Sequence, residues 1–220
     1  MTVVQSTEQI NVRYSGLADQ PCCLSCGSAV GHAEAVSGEV CVDLGSGRGQ
    51  DVIRLSEAVG DSGFVYGIDV AEGMIQRARR DAAKLGLTNV EFHRAELESL
   101  PLETESVDLV VSNCTINHAR DKLRVWREVY RVLKPGGRFV VSDIYATAPV
   151  PGEYRSDPVA ISECWAGADT RGAYFATLGR AGFEGVTVLE ESAPYPKGKI
   201  ECASFTLLGR KRVRRCCCGR

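Results

Sequence analysis

Ten of the 220 residues are cysteine, and their spacing is the first feature that could do chemistry. Thiols at this density in a reducing compartment usually bind a soft ion, react with a substrate or cycle through disulfides. Arginines surround the cysteines at 216–218, and they either belong to a solvated tail or lower the pKa of these thiols. The cysteines form two dense groups and four single positions: Cys22, Cys23, Cys26, Cys41, Cys114, Cys164, Cys202, Cys216, Cys217 and Cys218.

A glycine-rich loop is the second such feature. It follows the apolar run Val40–Leu44, and its glycines at 45, 47 and 49 let the backbone turn sharply and approach a ligand. Asp43 stands two residues before the first glycine, where an acid repels a pyrophosphate but suits a cationic amino-acid group. Asp69 stands 24 residues after Gly45, where a carboxylate can bind both hydroxyls of a ribose. Together they predict S-adenosylmethionine, which has a ribose and an ammonium group but no phosphate.

Short apolar runs that alternate with amphipathic segments must position these groups. Strands are predicted at 40–44, 64–69, 90–93, 107–112, 138–142, 185–191 and 200–208, and helices at 51–58, 71–85, 122–133, 159–167 and 171–181. Alternating strands and helices imply a parallel sheet covered on both faces. The predicted fold is therefore α/β and Rossmann-like, with a seven-stranded, mostly parallel sheet, helices on both faces and a C-terminal antiparallel hairpin.

Composition limits the function classes. Apolar residues make up 44% of the chain and charged residues 25%, which is typical of a globular protein. The formal net charge of −2 gives no reason to expect a nucleic-acid partner. No apolar run approaches the roughly 18 residues of a membrane helix, and Met1–Tyr14 lacks the basic and apolar regions of a signal peptide. We expect a cytoplasmic protein with reduced thiols and no membrane partner.

Several motifs resemble those of the arsenite S-adenosylmethionine methyltransferase family, within the class I methyltransferases. The resemblance covers roughly residues 12 to 211 and is most specific in Ser112-Asn-Cys-Thr-Ile-Asn117 and Glu163-Cys164-x-x-Gly167-Ala168. The further matching motifs are Arg13-Tyr14-x-Gly16, Asp121-Lys122, Glu128-x-Tyr130-Arg-Val-Leu-Lys-Pro-Gly-Gly137, Ser142-Asp-Ile-Tyr145, Asp157-Pro158, Ala181-Gly-Phe183 and Cys202-x-x-Phe205-Thr206.

The resemblance implies a domain organisation and a set of cofactor residues. An N-terminal arm with a cysteine cluster (1–38) precedes a methyltransferase domain (39–211), whose segment from about 146 to 211 would bind arsenic, and a basic, cysteine-rich tail follows (212–220). The arm tyrosine would lie over the cofactor, and the acidic residues after the third strand would lie beside its adenine. The implied cofactor residues are Tyr14, Asp43, Gly45, Ser46, Gly47, Asp51, Asp69, Met74, Glu96, Leu97, Glu98 and Asn113.

The resemblance also implies that thiols bind trivalent arsenic, which is soft and thiophilic. Cys164 and Cys202 are the expected ligands. The third ligand is expected to be Cys41, with Cys26 as the alternative, while Cys114 is expected to serve in packing.

The roles of Cys23 and Cys26, and that of His118, each have two interpretations. Cys23 and Cys26 could instead hold zinc, with His32 and Cys41 as further ligands. His118 stands where the family usually has an apolar residue. It either alters the substrate pocket or is solvated, and we expect it to be solvated.

The implied reaction is an SN2 attack by the lone pair of thiol-bound arsenic on the sulfonium methyl group. It would convert arsenite and methylarsenite to mono- and dimethylated arsenicals in a monomeric enzyme, with glutathione or thioredoxin as the thiol reductant. Two alternatives remain. One is a class I methyltransferase acting on another metalloid or on an organic carbon or sulfur nucleophile. The other is a non-catalytic protein that sequesters metalloid or zinc.

Overall fold

An eight-stranded sheet organises residues 4–20 and 28–213, which are the residues that the computed structural model describes. The strand order is β3-β2-β1-β4-β5-β8-β6, with β7 paired to β8 outside that row. The strands β1 to β5 are parallel, and β8 runs antiparallel to its three neighbours. The strands are β1 (Val40–Leu44), β2 (Phe64–Asp69), β3 (Val90–Arg94), β4 (Val107–Asn113), β5 (Leu133–Ala146), β6 (Thr187–Glu191), β7 (Tyr195–Lys197) and β8 (Ile200–Arg210).

Helices connect the parallel strands and form an arm at the N-terminal side. They are α1 (Val4–Leu17), α2 (Ala29–His32), α3 (Gln50–Val59), α4 (Glu72–Lys84), α5 (Lys122–Val132), α6 (Gly152–Arg155), α7 (Pro158–Ser162) and α8 (Arg171–Ala181), with 3-10 turns at Ile116–His118 and Trp165–Gly167. In α5, Val125, Trp126 and Val129 are buried on one side, as the helical spacing predicts. None of the helices in the described ranges combines the length and apolarity of a bilayer span.

The predicted fold class is confirmed. Helices α1, α2 and α6 were not predicted, and further details differ. An eighth strand, β7, forms between the two strands predicted for the C-terminal hairpin and pairs with β8. β5 starts at Leu133 instead of 138, because Leu133 pairs with Val107 before the register shifts. The helix predicted at 159–167 is divided at Cys164, whose φ of +78° no α-helix accommodates.

Two apolar cores lie on opposite faces of the sheet. Because side chains alternate across a strand, β1 places Val42 and Leu44 in the core that contains α5 and α8. The same alternation places Cys41 in the other core, with residues of α3 and α4. Both faces are therefore covered, which leaves the ends of the strands for a ligand.

The arm helix α1 packs on α4 and α7. Helix α4 follows Ala71, which provides no side-chain cap. Instead, the backbone N–H of Glu72 donates to Asn11 Oδ1, and that of Gly73 donates to Ser15 Oγ, each at 3.0 Å. Two amides that a helix start leaves unsatisfied thus find partners on α1. These bonds hold the arm against the first turn of α4.

Candidate active site

A cleft of about 290 Å³ lies at the carboxyl ends of the parallel strands, where open α/β sheets bind ligands. Its walls come from α1, the glycine loop, the start of α4 and the loops after β3 and β4. We call it the cofactor cleft. Nine of the residues predicted to bind the cofactor line it: Tyr14, Gly45, Gly47, Asp69, Met74, Glu96, Leu97, Glu98 and Asn113.

The glycine loop is tied to the end of β2 by Asp69. The backbone N–H of Gly47 donates to Asp69 Oδ2 at 2.9 Å, and that of Ala71 donates to Oδ1 at 2.8 Å. Gly45 and Gly47 have φ of +75° and +52°, a region that other residues adopt only with strain. A Cβ atom at Gly47 would meet no atom within 4 Å, so the loop leaves space for a ligand there.

Buried carboxylates surround this loop. Burial raises the pKa of Asp43 well above its usual range, and the charges of Asp51 and Asp69 raise it further. Burial also raises the pKa of Asp69, against the lowering effect of the two backbone N–H groups. A ligand cation at this place would relieve the repulsion. The cleft therefore fits S-adenosylmethionine, whose ammonium and sulfonium groups are cationic and whose ribose presents hydroxyls to a carboxylate.

Three residues predicted to bind the cofactor lie outside the cleft lining. Asp43 is buried beneath the loop. Ser46 Oγ lies 3.0 Å from the position of a Cβ atom on Gly67, beside the packing of β2, and has no hydrogen-bond partner in the described residues. Asp51 contacts the cleft only through Asn113, whose Nδ2 donates to Asp51 Oδ2 at 2.6 Å. Asp51 thus orients an amide that does line the cleft.

Part of the cleft lining was not predicted from the sequence. Thr7 and Ile10 join Tyr14 along one face of α1, and their spacing of three and four residues was the available signal. Thr115 follows the motif cysteine directly. The other lining residues that were not predicted from the sequence are Val70, Ala95, His118, Ala119, Arg120, Asp121 and Arg124.

Three cysteines share one buried apolar cluster beside the cofactor cleft: Cys114, Cys164 and Cys202. We call them the thiol cluster. Cys114 also lines the cleft. Cys164 Sγ donates to the carbonyl oxygen of Cys114 at 3.0 Å. Both residues have positive φ, +55° at Cys114 and +78° at Cys164, a strained conformation that clusters at functional sites. Cys202 pairs with Ala146 across β8 and β5, and burial raises its pKa.

The turn that carries Cys164 presses against the loop after β4. A Cβ atom on Gly167 would collide with the carbonyl oxygen of Asn117, so the two backbones touch there. Asn117 Nδ2 in turn donates to the carbonyl oxygen of Ile144 at 2.7 Å. The loop of Cys114 and the turn of Cys164 are therefore one packed unit, and a change in either displaces the other.

The position of Cys41 in the structure disfavours its predicted role as the third ligand. Cys41 lies on the opposite face of β1, in the core with α3 and α4, and not in the thiol cluster. Burial raises its pKa to about 12, which disfavours the thiolate that binds soft ions. Cys114, and not Cys41, shares the buried cluster of Cys164 and Cys202.

The remaining cysteine predictions fall on other parts of the chain. Cys22, Cys23 and Cys26, with both the zinc alternative and the alternative third ligand, lie outside the described residues, as do Cys216, Cys217 and Cys218. His32, the further zinc candidate, pairs with Glu190 at 3.2 Å. Within 4–20 and 28–213, no three His, Cys, Asp or Glu side chains are arranged to hold a metal ion.

The expectation that His118 is solvated is wrong. Its ring is half-buried in the cleft lining, edge-on to Tyr14, with centroids 5.5 Å apart. His118 Nε2 lies 3.1 Å from the Tyr14 hydroxyl, and Nδ1 lies 3.0 Å from the carbonyl oxygen of Ile161. Burial lowers its pKa. No local pattern predicts these contacts, because both partners are distant in the chain.

A buried carboxyl, Asp143, supports the same region from below. Its Oδ1 accepts from Asn117 Nδ2 at 2.9 Å and from the backbone N–H of Ile144 at 2.8 Å. The hydroxyl of Tyr174 lies 3.4 Å from Oδ2. Burial raises the pKa of Asp143 to about 7, although the Ile144 N–H and the charge of Lys122 lower it.

We expect Asp143→Asn to flatten the dependence of stability on pH. The folded protein keeps the Asp143 proton up to about pH 7, whereas the unfolded chain loses it near 3.8, so wild-type stability falls as pH rises through that window. At about 1.4 kcal/mol per pKa unit, the loss reaches about 4 kcal/mol. Urea unfolding at about pH 4 and about pH 8 measures it. An unchanged slope in the variant would contradict the assignment.

Comparisons with known proteins agree with this geometry. A family model described as a methyltransferase domain matches residues 35–192. An arsenite methyltransferase of Halobacterium salinarum is 44% identical over 165 residues, which cover 75% of this chain and 42% of that protein. The human arsenite methyltransferase is 42% identical over 136 residues, covering 58% of this chain and 36% of that protein. The chain thus spans less than half the length of these curated relatives.

Solved structures give the family. The arsenic(III) S-adenosylmethionine methyltransferase CrArsM of Chlamydomonas reinhardtii superposes with a TM-score of 0.76 at 32% identity, covering 93% of this chain and 74% of that chain. The [4+2]-cyclase SpnF has a TM-score of 0.72 at 18% identity, a likeness that shows the fold alone. The motif resemblance found in the sequence is thereby confirmed. The chain belongs to the arsenic(III) S-adenosylmethionine methyltransferase family, among the methyltransferase-domain proteins.

Proposed function

We propose that this protein transfers the methyl group of S-adenosylmethionine to trivalent arsenic held by cysteine thiols, and so converts arsenite to mono- and dimethylated arsenicals. The observation that carries the proposal is the thiol cluster, in which Cys114 belongs both to the cofactor cleft and to the buried group of Cys164 and Cys202. A soft ion bound by these thiols would lie next to the methyl donor.

The thiols hold and orient the substrate. Two or three thiols displace the hydroxides of arsenite and leave a pyramidal arsenic with a lone pair. Cys164 and Cys202 are the proposed ligands. Cys114, which shares their buried cluster, is favoured over Cys41 as the third, and side-chain movement on binding would bring the three sulfurs together. The strained backbone at Cys114 and Cys164 supports this, because such strain persists only where surrounding structure or function maintains it.

The cleft residues hold the methyl donor. We propose that Asp69 binds the ribose and that the carboxylates around the glycine loop favour the cationic amino-acid end. When bound, S-adenosylmethionine supplies an electrophilic methyl carbon, which the arsenic lone pair attacks as the sulfonium sulfur leaves. No proton leaves the nucleophile, so no general base is required. The contribution of the chain is proximity, orientation and exclusion of water.

A thiol reductant completes the proposed cycle. Because methyl transfer uses the arsenic lone pair, it would leave arsenic pentavalent, and two thiolate ligands would return it to the trivalent state by leaving as a disulfide. Glutathione or the thioredoxin system would then reduce that disulfide by thiol–disulfide exchange, in which a thiolate attacks a disulfide sulfur and releases the other thiolate. We propose that the enzyme acts as a monomer on the small substrates arsenite and methylarsenite.

Product speciation tests the proposal. The purified chain is incubated with arsenite, S-adenosylmethionine and glutathione, and arsenic species are separated by chromatography and counted by mass spectrometry. We expect monomethylated and then dimethylated arsenic, with one S-adenosylhomocysteine formed for each methyl group. Parallel reactions with selenite, tellurite and small organic thiols test other acceptors. Methylation of those acceptors without methylarsenicals would overturn the arsenic assignment.

Calorimetric titration separates an enzyme from a sequestering protein. We expect S-adenosylhomocysteine to bind whether or not arsenite is present, since Cys164 and Cys202 do not line the cofactor cleft. A chain that binds arsenite but neither S-adenosylmethionine nor S-adenosylhomocysteine would be a sequestering protein.

A further inference from the structure

His118 lies where three segments meet: the arm helix, the loop after β4 and the end of α7. Its Nδ1 faces the carbonyl oxygen of Ile161 at 3.0 Å, and a carbonyl only accepts, so Nδ1 carries the proton. In the neutral ring Nε2 then accepts from the Tyr14 hydroxyl at 3.1 Å. The partners thus fix the tautomer and make the ring a strut between the arm and α7.

The carbonyl that His118 holds also supports Cys164. The oxygen of Ile161 accepts from the backbone N–H of Cys164 at 3.0 Å. It therefore takes part in maintaining the positive φ of Cys164, from which the thiol reaches the carbonyl of Cys114. A shift of the Ile161 carbonyl would move the strained residue directly.

A second contact joins the arm to the same turn. Arg13, next to Tyr14 in α1, pairs with Glu163 at 3.4 Å. Glu163 directly precedes Cys164, and its other carboxylate oxygen accepts from the indole N–H of Trp165 at 3.1 Å. The Arg13–Glu163 pair is partly exposed and contributes little by itself. The His118 strut is the less exposed of the two connections.

We propose that His118 is a positioning residue that couples the seating of the arm helix on the cofactor cleft to the turn carrying Cys164. The proposal rests on the proposed function, in which Cys164 binds arsenic. Tyr14 lines the cleft, so a ligand that orders Tyr14 favours the hydrogen bond between Tyr14 and His118. Through the Ile161 carbonyl it also favours the hydrogen bond from the backbone N–H of Cys164. Such coupling is reciprocal, so arsenic bound at Cys164 also favours the seated arm.

Hydrogen exchange on the full chain tests the coupling without arsenic. In the wild type, S-adenosylhomocysteine is expected to slow amide exchange both in the glycine loop and at residues 161–167. In His118→Leu and Tyr14→Phe, we expect slowing in the glycine loop only. His118→Gln, which offers one donor and one acceptor, is expected to restore slowing at 161–167. Tyr154→Phe is the matched control, because its ring packs on Trp165 at 5.3 Å but does not contact His118.

Arsenite binding and kinetics give the second readout. Arsenite is titrated into the protein, and binding is followed by the fluorescence of Trp165, which is next to Cys164. The steady-state KM and kcat are measured for arsenite and for S-adenosylmethionine. His118→Leu is expected to raise KM for arsenite about tenfold, a loss of one well-placed hydrogen-bonded contact, and to leave KM for S-adenosylmethionine within about twofold. His118→Gln is expected to recover most of that change.

Each outcome decides one of the two proposals. Slowing at 161–167 that persists in both His118→Leu and Tyr14→Phe overturns the positioning role, whatever the wild type methylates. An equal rise in both KM values in His118→Leu, not reversed in His118→Gln, indicates a general structural role and also overturns the positioning role. If His118→Leu fails to fold, Tyr14→Phe and His118→Gln decide by the same criteria. Absence of methylarsenicals in the wild type overturns the proposed function, while the exchange data still judge the coupling.

Discussion

Cys164→Ser is expected to lower arsenic methylation at least about a hundredfold, because losing a ligand that orients the reacting atom forfeits most of the advantage of proximity. Cys202→Ala is expected to do the same. Affinity for S-adenosylhomocysteine should stay within about twofold in both variants, since neither residue lines the cofactor cleft. Methylarsenicals are measured by speciation, and cofactor affinity by calorimetry.

Cys41→Ala is the matched control for Cys202→Ala. Both cysteines are fully buried in strands, so both truncations remove a sulfur from a packed core and cost a comparable unfolding free energy, about 1 to 2 kcal/mol. The two residues differ in which core they occupy. We expect Cys41→Ala to keep methylation within about twofold of wild type after correction for folded fraction. Loss of methylation in Cys41→Ala alone would restore Cys41 as the third ligand.

Gly45→Ala is expected to weaken S-adenosylhomocysteine binding about a hundredfold, which is near 3 kcal/mol. The residue has φ of +75°, and its Cβ atom would collide with the side chain of Thr115, another residue of the cleft lining. The substitution therefore strains the glycine loop and displaces the loop that carries Cys114. Calorimetric titration measures the binding loss.

Gly38→Ala separates backbone strain from damage to the cleft. Gly38 has φ of +86°, and its Cβ atom would meet only Ser62 Oγ, at the ordinary distance of 3.6 Å. The variant should lose about 1 kcal/mol of stability from strain alone and bind S-adenosylhomocysteine as the wild type does. If Gly38→Ala and Gly45→Ala weakened binding equally, the collision with Thr115 would not be the cause.

The cofactor half of the site could be predicted because its signals are local. Gly45, Gly47 and Asp69 lie at the ends of two neighbouring parallel strands, so the strand pattern and the chain spacing suffice to bring them together. The placement of Asp43 beneath the loop was less accessible. Whether a carboxylate reaches a cleft or stops below it depends on the side of the strand that faces the helix layer.

The thiols were harder to assign because they depend on strand faces and on long-range contacts. A strand that is apolar on both faces shows no alternation, so nothing in the sequence tells on which side of β1 Cys41 lies. Cys114 reached the thiol cluster through a positive φ that no pattern predicts for a cysteine. His118 contacts Tyr14 and Ile161, which are separated from it by 104 and 43 positions along the chain.

The borrowed caps of α4 have a kinetic consequence. Moving α1 away would leave the amides of Glu72 and Gly73 without Asn11 Oδ1 and Ser15 Oγ, at about 1 kcal/mol for each lost cap. Together these two bonds bias the arm toward its docked position by about thirtyfold at equilibrium. The arm is therefore docked on α4 for most of the time. Because Thr7, Ile10 and Tyr14 of the arm line the cofactor cleft, we expect release of the spent cofactor to require undocking of the arm, so residues far from the sulfur chemistry would help to set the turnover time.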